Sequence, residues 1–250
     1  MKLDLAATLA DGWAMFRRDR GLLLGLAGPF WLLPGLALLL LVPPAPPLPV
    51  GLDPASPAAR VAMQAVLDWA LAHGGWFLAA AALGGWGTVA VFVLYLDRDA
   101  PTVQDALVRA VRLWPRFILL NLLTALPVAA GLRLFLLPGV YVLARVLVAG
   151  PALVAEAPVG AWRSVRRSVA LSRGAVLPLM GLAAMTLAAG WIAPQPLLML
   201  DTWLRARPDG PNPVALVTVD ALAASVAAAA GLAGALLAVA AYRRLARQGI

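Results

Sequence analysis

From Gly21 to Val42 the chain carries no charged side chain, and the same holds from Gly74 to Leu96. About 20 consecutive apolar residues suffice for a helix to cross the hydrocarbon core of a bilayer. Four further runs are comparable: 117–132, 138–155 with Arg145 inside it, 174–194, and 214–241 with Asp220 inside it. Backbone exposed to lipid must satisfy its own hydrogen bonds, so runs of this length form helices. Composition excludes a soluble alternative. The 250 residues are 62% hydrophobic and 13% charged, whereas a soluble domain carries about 25% charged residues and needs polar surface to face water. The expected fold is all-α: one integral-membrane domain over 1–250, a polytopic transmembrane helical bundle of about six spans, with amphipathic interfacial helices on its cytoplasmic side.

Charge sets the expected topology. Leu137-Pro138-Gly139 reads as the tip of a helix hairpin between the third and fourth runs, because proline and glycine end one helix and begin another. With six crossings, fifteen of the 20 basic residues share one side: Lys2, Arg17, Arg18, Arg20, Arg98, Arg109, Arg112, Arg116, Arg163, Arg166, Arg167, Arg173, Arg243, Arg244 and Arg247. Arg60, Arg133, Arg205 and Arg207 fall on the other. The positive-inside rule makes the crowded side, and both termini, cytoplasmic. A basic complement that is arginine apart from Lys2, with abundant alanine, glycine and proline, points to a GC-rich bacterium and hence to an inner membrane. Asp4, Asp11 and Asp19, with the length of the first run, argue against a cleaved leader. Between the first two runs, Pro43–Pro57 predicts extended chain. Residues 58–73 predict a helix, either interfacial or an extension of the second span, and Leu197–Leu204 an interfacial stretch.

Three segments, 3–19, 101–116 and 158–173, pattern as amphipathic helices that run into spans. Their apolar stripes are Leu5, Leu9, Trp13 and Phe16; Val103, Leu107, Ala110, Val111 and Trp114; and Trp162, Val165 and Val169. Arginines oppose them. Arginine stems snorkel toward phosphates while the apolar stripe dips into the acyl boundary. The candidate lipid-binding residues are therefore Arg163, Arg166 and Arg167, with Arg109 and Arg112; a plain anchoring collar is the other reading. Asp99-Ala100-Pro101 and Glu156-Ala157-Pro158 predict acid-then-proline helix starts.

Arg145, Asp220 and Asn121 are polar side chains inside spans. A charge in hydrocarbon normally finds a partner or a water-filled cavity. An Arg145–Asp220 pair or shared cavity is one expectation; backbone bonding by Arg145 and capping by Asp220 is the other. Asn121 and Thr124 are placed to hydrogen-bond across helices, and the small-residue ridge Ala227, Gly231, Ala235 permits close helix approach.

No phosphate-binding glycine loop, HExxH, dinucleotide fingerprint or GxSxG elbow occurs. The chain has no cysteine, His73 is the only histidine, and carboxylates are scattered. The expectation is a chain that is not an enzyme and has no cofactor or metal. Its partners are membrane lipids, through anionic head groups of the cytoplasmic leaflet. A homo-oligomer or membrane-protein partner stays open, and nucleic acid is not expected of the +8 net charge because the arginines flank spans.

Leu137-Pro138-Gly139, Arg145, Pro151, Glu156, Arg167-Ser168, Leu171 and Gly174 together resemble a pattern found in the membrane domain attached to some bacterial glycerophosphoryl diester phosphodiesterases and in related stand-alone polytopic proteins. The likeness covers about 40 residues strongly and 1–190 loosely. It implies a helical membrane domain in which Leu137, Pro138, Gly139, Glu156, Ser168 and Gly174 are structural. The family's separate phosphodiesterase barrel uses two catalytic histidines, so its activity does not carry over to a chain with one. The sequence reading is a lipid-contacting scaffold or regulatory module; the alternative is a transporter or lipid-translocating protein using an Arg145/Asp220 cavity.

Overall fold

The computed structural model describes residues 3–51, 53–97, 102–207 and 212–248. Helix α1 (Leu5–Arg18) starts where the Asp4 carboxylate accepts from the Ala7 amide at 3.1 Å. The first span follows as α2 (Arg20–Ala27), a π-turn (Gly28–Leu32) and α3 (Leu33–Leu41). Pro29 and Pro34 supply no amide hydrogen, and the wider turn accommodates the interrupted ladder. Helix α4 (Pro57–Leu96) begins at Ser56, whose hydroxyl accepts from the Ala59 amide. Helix α5 (Val103–Leu134) opens on a capping box between Thr102 and Asp105. Then come α6 (Leu136–Val146), α7 (Ala149–Ala155), α8 (Ala161–Leu171), α9 (Val176–Trp191), α10 (Gln195–Arg205) and α11 (Pro213–Gln248).

Among the described residues six stretches are long and apolar enough to cross a membrane: Arg20–Leu41, Pro57–Leu96, Val103–Leu134, Leu136–Ala155, Val176–Arg205 and Pro213–Arg247. The chain is an all-α, multi-pass membrane protein. Helix α11 runs through the middle of the bundle, against α1, α3, α4, α9 and α10. Its close packing is visible at Gly231, where an added Cβ would lie 2.8 Å from Trp31 Cδ1.

Several boundaries differ from expectation. Residues 58–73 extend the second span within one 40-residue helix. The segment expected as a separate interfacial helix over 101–116 is continuous with the third span as α5, despite Pro115 and Pro127 inside it; residue 101 lies outside the described residues. That continuity lengthens the short third span, and prolines are tolerated inside membrane helices. The hairpin turn falls at Phe135, in extended conformation, and not at Leu137-Pro138-Gly139, which form the first turns of α6. Proline fits a first helical turn. Gly139 serves close approach: a Cβ on Gly131 would sit 2.8 Å from Gly139 Cα.

Of the apolar stripes expected to dip into the acyl boundary, Trp13, Val111 and Trp162 are exposed, whereas Leu5, Leu9, Phe16, Val103, Leu107, Ala110, Trp114 and Val165 pack against or within the protein core. In α1 the buried residues are Thr8, Gly12 and Met15, whereas Trp13 is exposed. In α8 they are Ala161, Ser164, Ser168 and Leu171, and Trp162 is exposed. Lipid is as apolar as a protein core, so the most hydrophobic side of a helix need not face its neighbours, and small residues mark the contact instead.

Candidate functional site

The arginine-rich end of the bundle is built from helix junctions. Asp19, between α1 and α2, pairs with Arg18 at 2.9 Å and accepts the Tyr95 hydroxyl at 2.6 Å. The Arg18 hydrogen bond holds the Asp19 carboxyl below the usual carboxylate range. Arg243 of α11 donates to the Tyr95 carbonyl. Asp11 of α1 accepts from Arg244 at 2.6 Å. Asp97, just past α4, pairs with Arg109 of α5. Glu156, just past α7, accepts from Arg167 Nε at 2.8 Å and from the Tyr242 hydroxyl at 3.1 Å.

These contacts divide the expected lipid-binding residues. Arg109 and Arg167 are struts within the protein, whereas Arg112, Arg163 and Arg166 are exposed and have no carboxylate partner among the described residues. Glu156 ties α7 to α8 and α11 instead of starting a helix, because α8 begins only at Ala161. Asp99-Ala100-Pro101 lies outside the described residues. Ser168 donates to the Arg145 carbonyl at 2.7 Å, joining α8 to α6. Gly174 has φ +83 in the link from α8 to α9, a left-handed conformation that favours glycine.

The expected Arg145–Asp220 pair is not formed. Arg145 lies on α6 where α8 bonds it, whereas Asp220 belongs to the opposite end. There Asp220, fully buried, accepts from Arg205 at 3.1 Å. Arg205 Nε also donates to both oxygens of Asp201, at 2.8 and 2.9 Å, and its terminal nitrogen to the Leu39 carbonyl at 3.3 Å. One guanidinium thus locks α10, α11 and α3 together. Asp220 Oδ1 has no partner among the described residues. The signal for this latch was present in the sequence as Asp201 and Arg205 one helical turn apart. Asn121 points outward and makes no side-chain bond to another described residue, while Thr124 bonds the Leu120 carbonyl of its own helix. His73 Nδ1 lies 3.0 Å from the Trp69 carbonyl. Among the described residues no group of three metal-ligating side chains comes together.

A groove of about 640 Å³ opens between α1, α2 and α11. Trp13 and Phe16 form one wall, stacked with ring centroids 5.4 Å apart. Leu24 and Leu32 form another, and the Ser225–Leu237 stretch of α11 contributes the floor. Sequence reasoning missed this feature because it exists only once α1 lies across α11. The chain matches no protein-family model, no curated protein and no solved structure.

Proposed function

We propose that this chain is a non-catalytic protein of a bacterial inner membrane, a lipid-contacting scaffold or regulatory module with both termini in the cytoplasm. One observation carries the reading. Arg17, Arg20, Arg112, Arg116, Arg163, Arg166, Arg173 and Arg247 are exposed at one end of the bundle, without carboxylate partners among the described residues. Each arginine near an anionic leaflet contributes about 1 kcal/mol, and the positive-inside rule assigns that end to the cytoplasm. Exposed Trp162 and Val111 beside these arginines supply apolar surface at the same level. The likeness of 137–174 to phosphodiesterase membrane domains is part of the same proposal, since its residues Gly139, Glu156, Ser168 and Gly174 serve packing and turns here.

The test uses the cysteine-free chain. Single cysteines replacing Gln104 and Ala170, both exposed, are expected to react with impermeant maleimide only from the cytoplasmic side. The purified protein is expected to melt higher in phosphatidylglycerol nanodiscs than in phosphatidylcholine ones. Labelling from the exterior, or equal melting in the two lipids, overturns the reading.

A further inference from the structure

The groove between α1, α2 and α11 is apolar along its length, with no charged residue in its lining. Trp13 lines it, and Arg17 follows one helical turn later on α1. Leu24 lines it too, and Arg20 precedes it by one turn on α2. Side chains four residues apart share a helix face, so both guanidiniums continue the groove walls toward the arginine-rich end. Arg18, between them, is occupied by Asp19. Arg17 and Arg20 are exposed and have no carboxylate partner among the described residues. Further along, Ser225 is the one polar side chain of the lining, and its hydroxyl is already donated to the Ala221 carbonyl at 2.7 Å. The α11 floor from Ser225 to Leu236 rises about 17 Å, which is the depth of one leaflet of a roughly 30 Å hydrocarbon core.

We infer that this groove seats one anionic phospholipid, its phosphate held by Arg17 and Arg20 and one acyl chain lying along α11 between Trp13 and Leu24. A long apolar channel with two cations at one end, neither paired with a carboxylate among the described residues, matches an amphiphile having a single anionic head. A second protein helix would leave those cations without a countercharge. Small residues keep the channel open: Gly28, Ala229 and Ala233 line it, and a Cβ added at Gly28 would meet nothing within 4 Å. The inference rests on the reading of the arginine-rich end as a membrane surface, and adds to it one bound lipid and the residues that hold it.

The experiment exposes the full-length protein in detergent micelles to equimolar dioleoylphosphatidylglycerol and dioleoylphosphatidylcholine. Native mass spectrometry then counts the lipid retained. The parent protein is expected to retain one phosphatidylglycerol in preference to phosphatidylcholine. Arg17→Ala/Arg20→Ala is expected to weaken that retention about thirty-fold, from two lost phosphate contacts. Ala229→Phe/Ala233→Phe, which fills the channel and leaves every charge in place, is expected to abolish it. Arg60→Ala/Arg133→Ala removes the same charge at the other end of the bundle, where both residues are exposed, and is expected to leave it unchanged. Parent-like retention in the Arg17/Arg20 variant overturns the site, and that variant decides alone if the phenylalanine variant does not fold. Equal loss in the Arg60/Arg133 control, or a dimer that Ala229→Phe disperses, overturns it as well while leaving the membrane-surface reading standing. No preference for phosphatidylglycerol in the parent sinks both.

Discussion

Replacing Arg205 by methionine removes the cation that two carboxylates share. In the folded protein its side chain is 31% exposed, against 11% for Asp201 and 0% for Asp220. Methionine keeps most of the volume, so the effect is electrostatic. Asp220 then has neither oxygen bonded, and Asp201 loses two short hydrogen bonds. Stripping one partner from a buried pair costs about 3–5 kcal/mol, and the partial exposure of Arg205 places this case near the lower figure. For a chain of this length each kcal/mol moves the melting temperature by about 2–4 °C, so the variant should melt about 6–12 °C lower. Asp220→Asn should behave oppositely. Its amide oxygen still accepts from Arg205, Asp201 keeps its two-pronged contact, and a buried charge is gone, so stability should stay within about 1 kcal/mol of the parent. The double change Arg205→Met/Asp220→Leu should regain most of the loss, since apolar replacement of a buried pair is commonly tolerated. Tryptophan fluorescence melting in lipid nanodiscs measures all three. If Asp220→Asn lowers the melting temperature as far as Arg205→Met, the shared-cation account is wrong.

Gly231→Val should destabilise by about 1–3 kcal/mol through overpacking against Trp31, and adding Trp31→Leu should recover it in the same melting assay. Glu156→Gln weakens two contacts that tie α7 to α8 and α11; a loss of about 1.5–3 kcal/mol is expected, and chemical-denaturation midpoints check it. Asp19 supplies a pH dependence. Its carboxyl is held low by Arg18, so the folded state favours the ionised form. That stabilisation is present above the ordinary carboxylate value of about 3.9 and is lost as pH falls through the lower folded value. Asp19→Asn should flatten this acid limb in melting profiles recorded across the carboxylate range; an unchanged acid limb would refute the assignment.

The spans were legible because absence of charge over a bilayer's thickness is a signal no soluble helix needs to give. The faces of the helices were not. An apolar stripe suits acyl chain and protein core equally, so sequence alone does not divide it: Trp13 and Trp162 turn outward as expected, whereas Leu5, Leu9, Phe16 and Val165 pack inward beside Thr8, Gly12, Ser164 and Ser168. Asp220 is recognisable in the sequence as an expensive residue, but its partner is not, because Arg205 falls outside the apolar runs, just past the Leu197–Leu204 stretch, and only the fold brings it to α11. The resemblance motif named structural positions whose roles only the fold supplies: Gly139 against Gly131, Ser168 on the Arg145 carbonyl, Glu156 under Tyr242.

The distribution of acids explains why charge at the arginine-rich end serves two purposes. Asp19, Asp97 and Glu156 follow directly on α1, α4 and α7, as their C-terminal caps. A helix C-terminus disfavours an anion, so these carboxylates need external cations. Arg18 serves Asp19 from the adjacent position, whereas Arg109 and Arg167 reach Asp97 and Glu156 from later helices and thereby pin α5 and α8 to the bundle. Arginines matched to an acid in this way are committed to the fold, and their loss should appear in stability whatever the surrounding lipid. On the proposed reading, arginines without such a match among the described residues are neutralised by lipid phosphate. Their substitution should therefore leave stability in phosphatidylcholine unchanged and reduce it in phosphatidylglycerol. That contrast, measured on Arg167→Ala against Arg166→Ala, separates structural charge from lipid-facing charge on two adjacent residues of one helix.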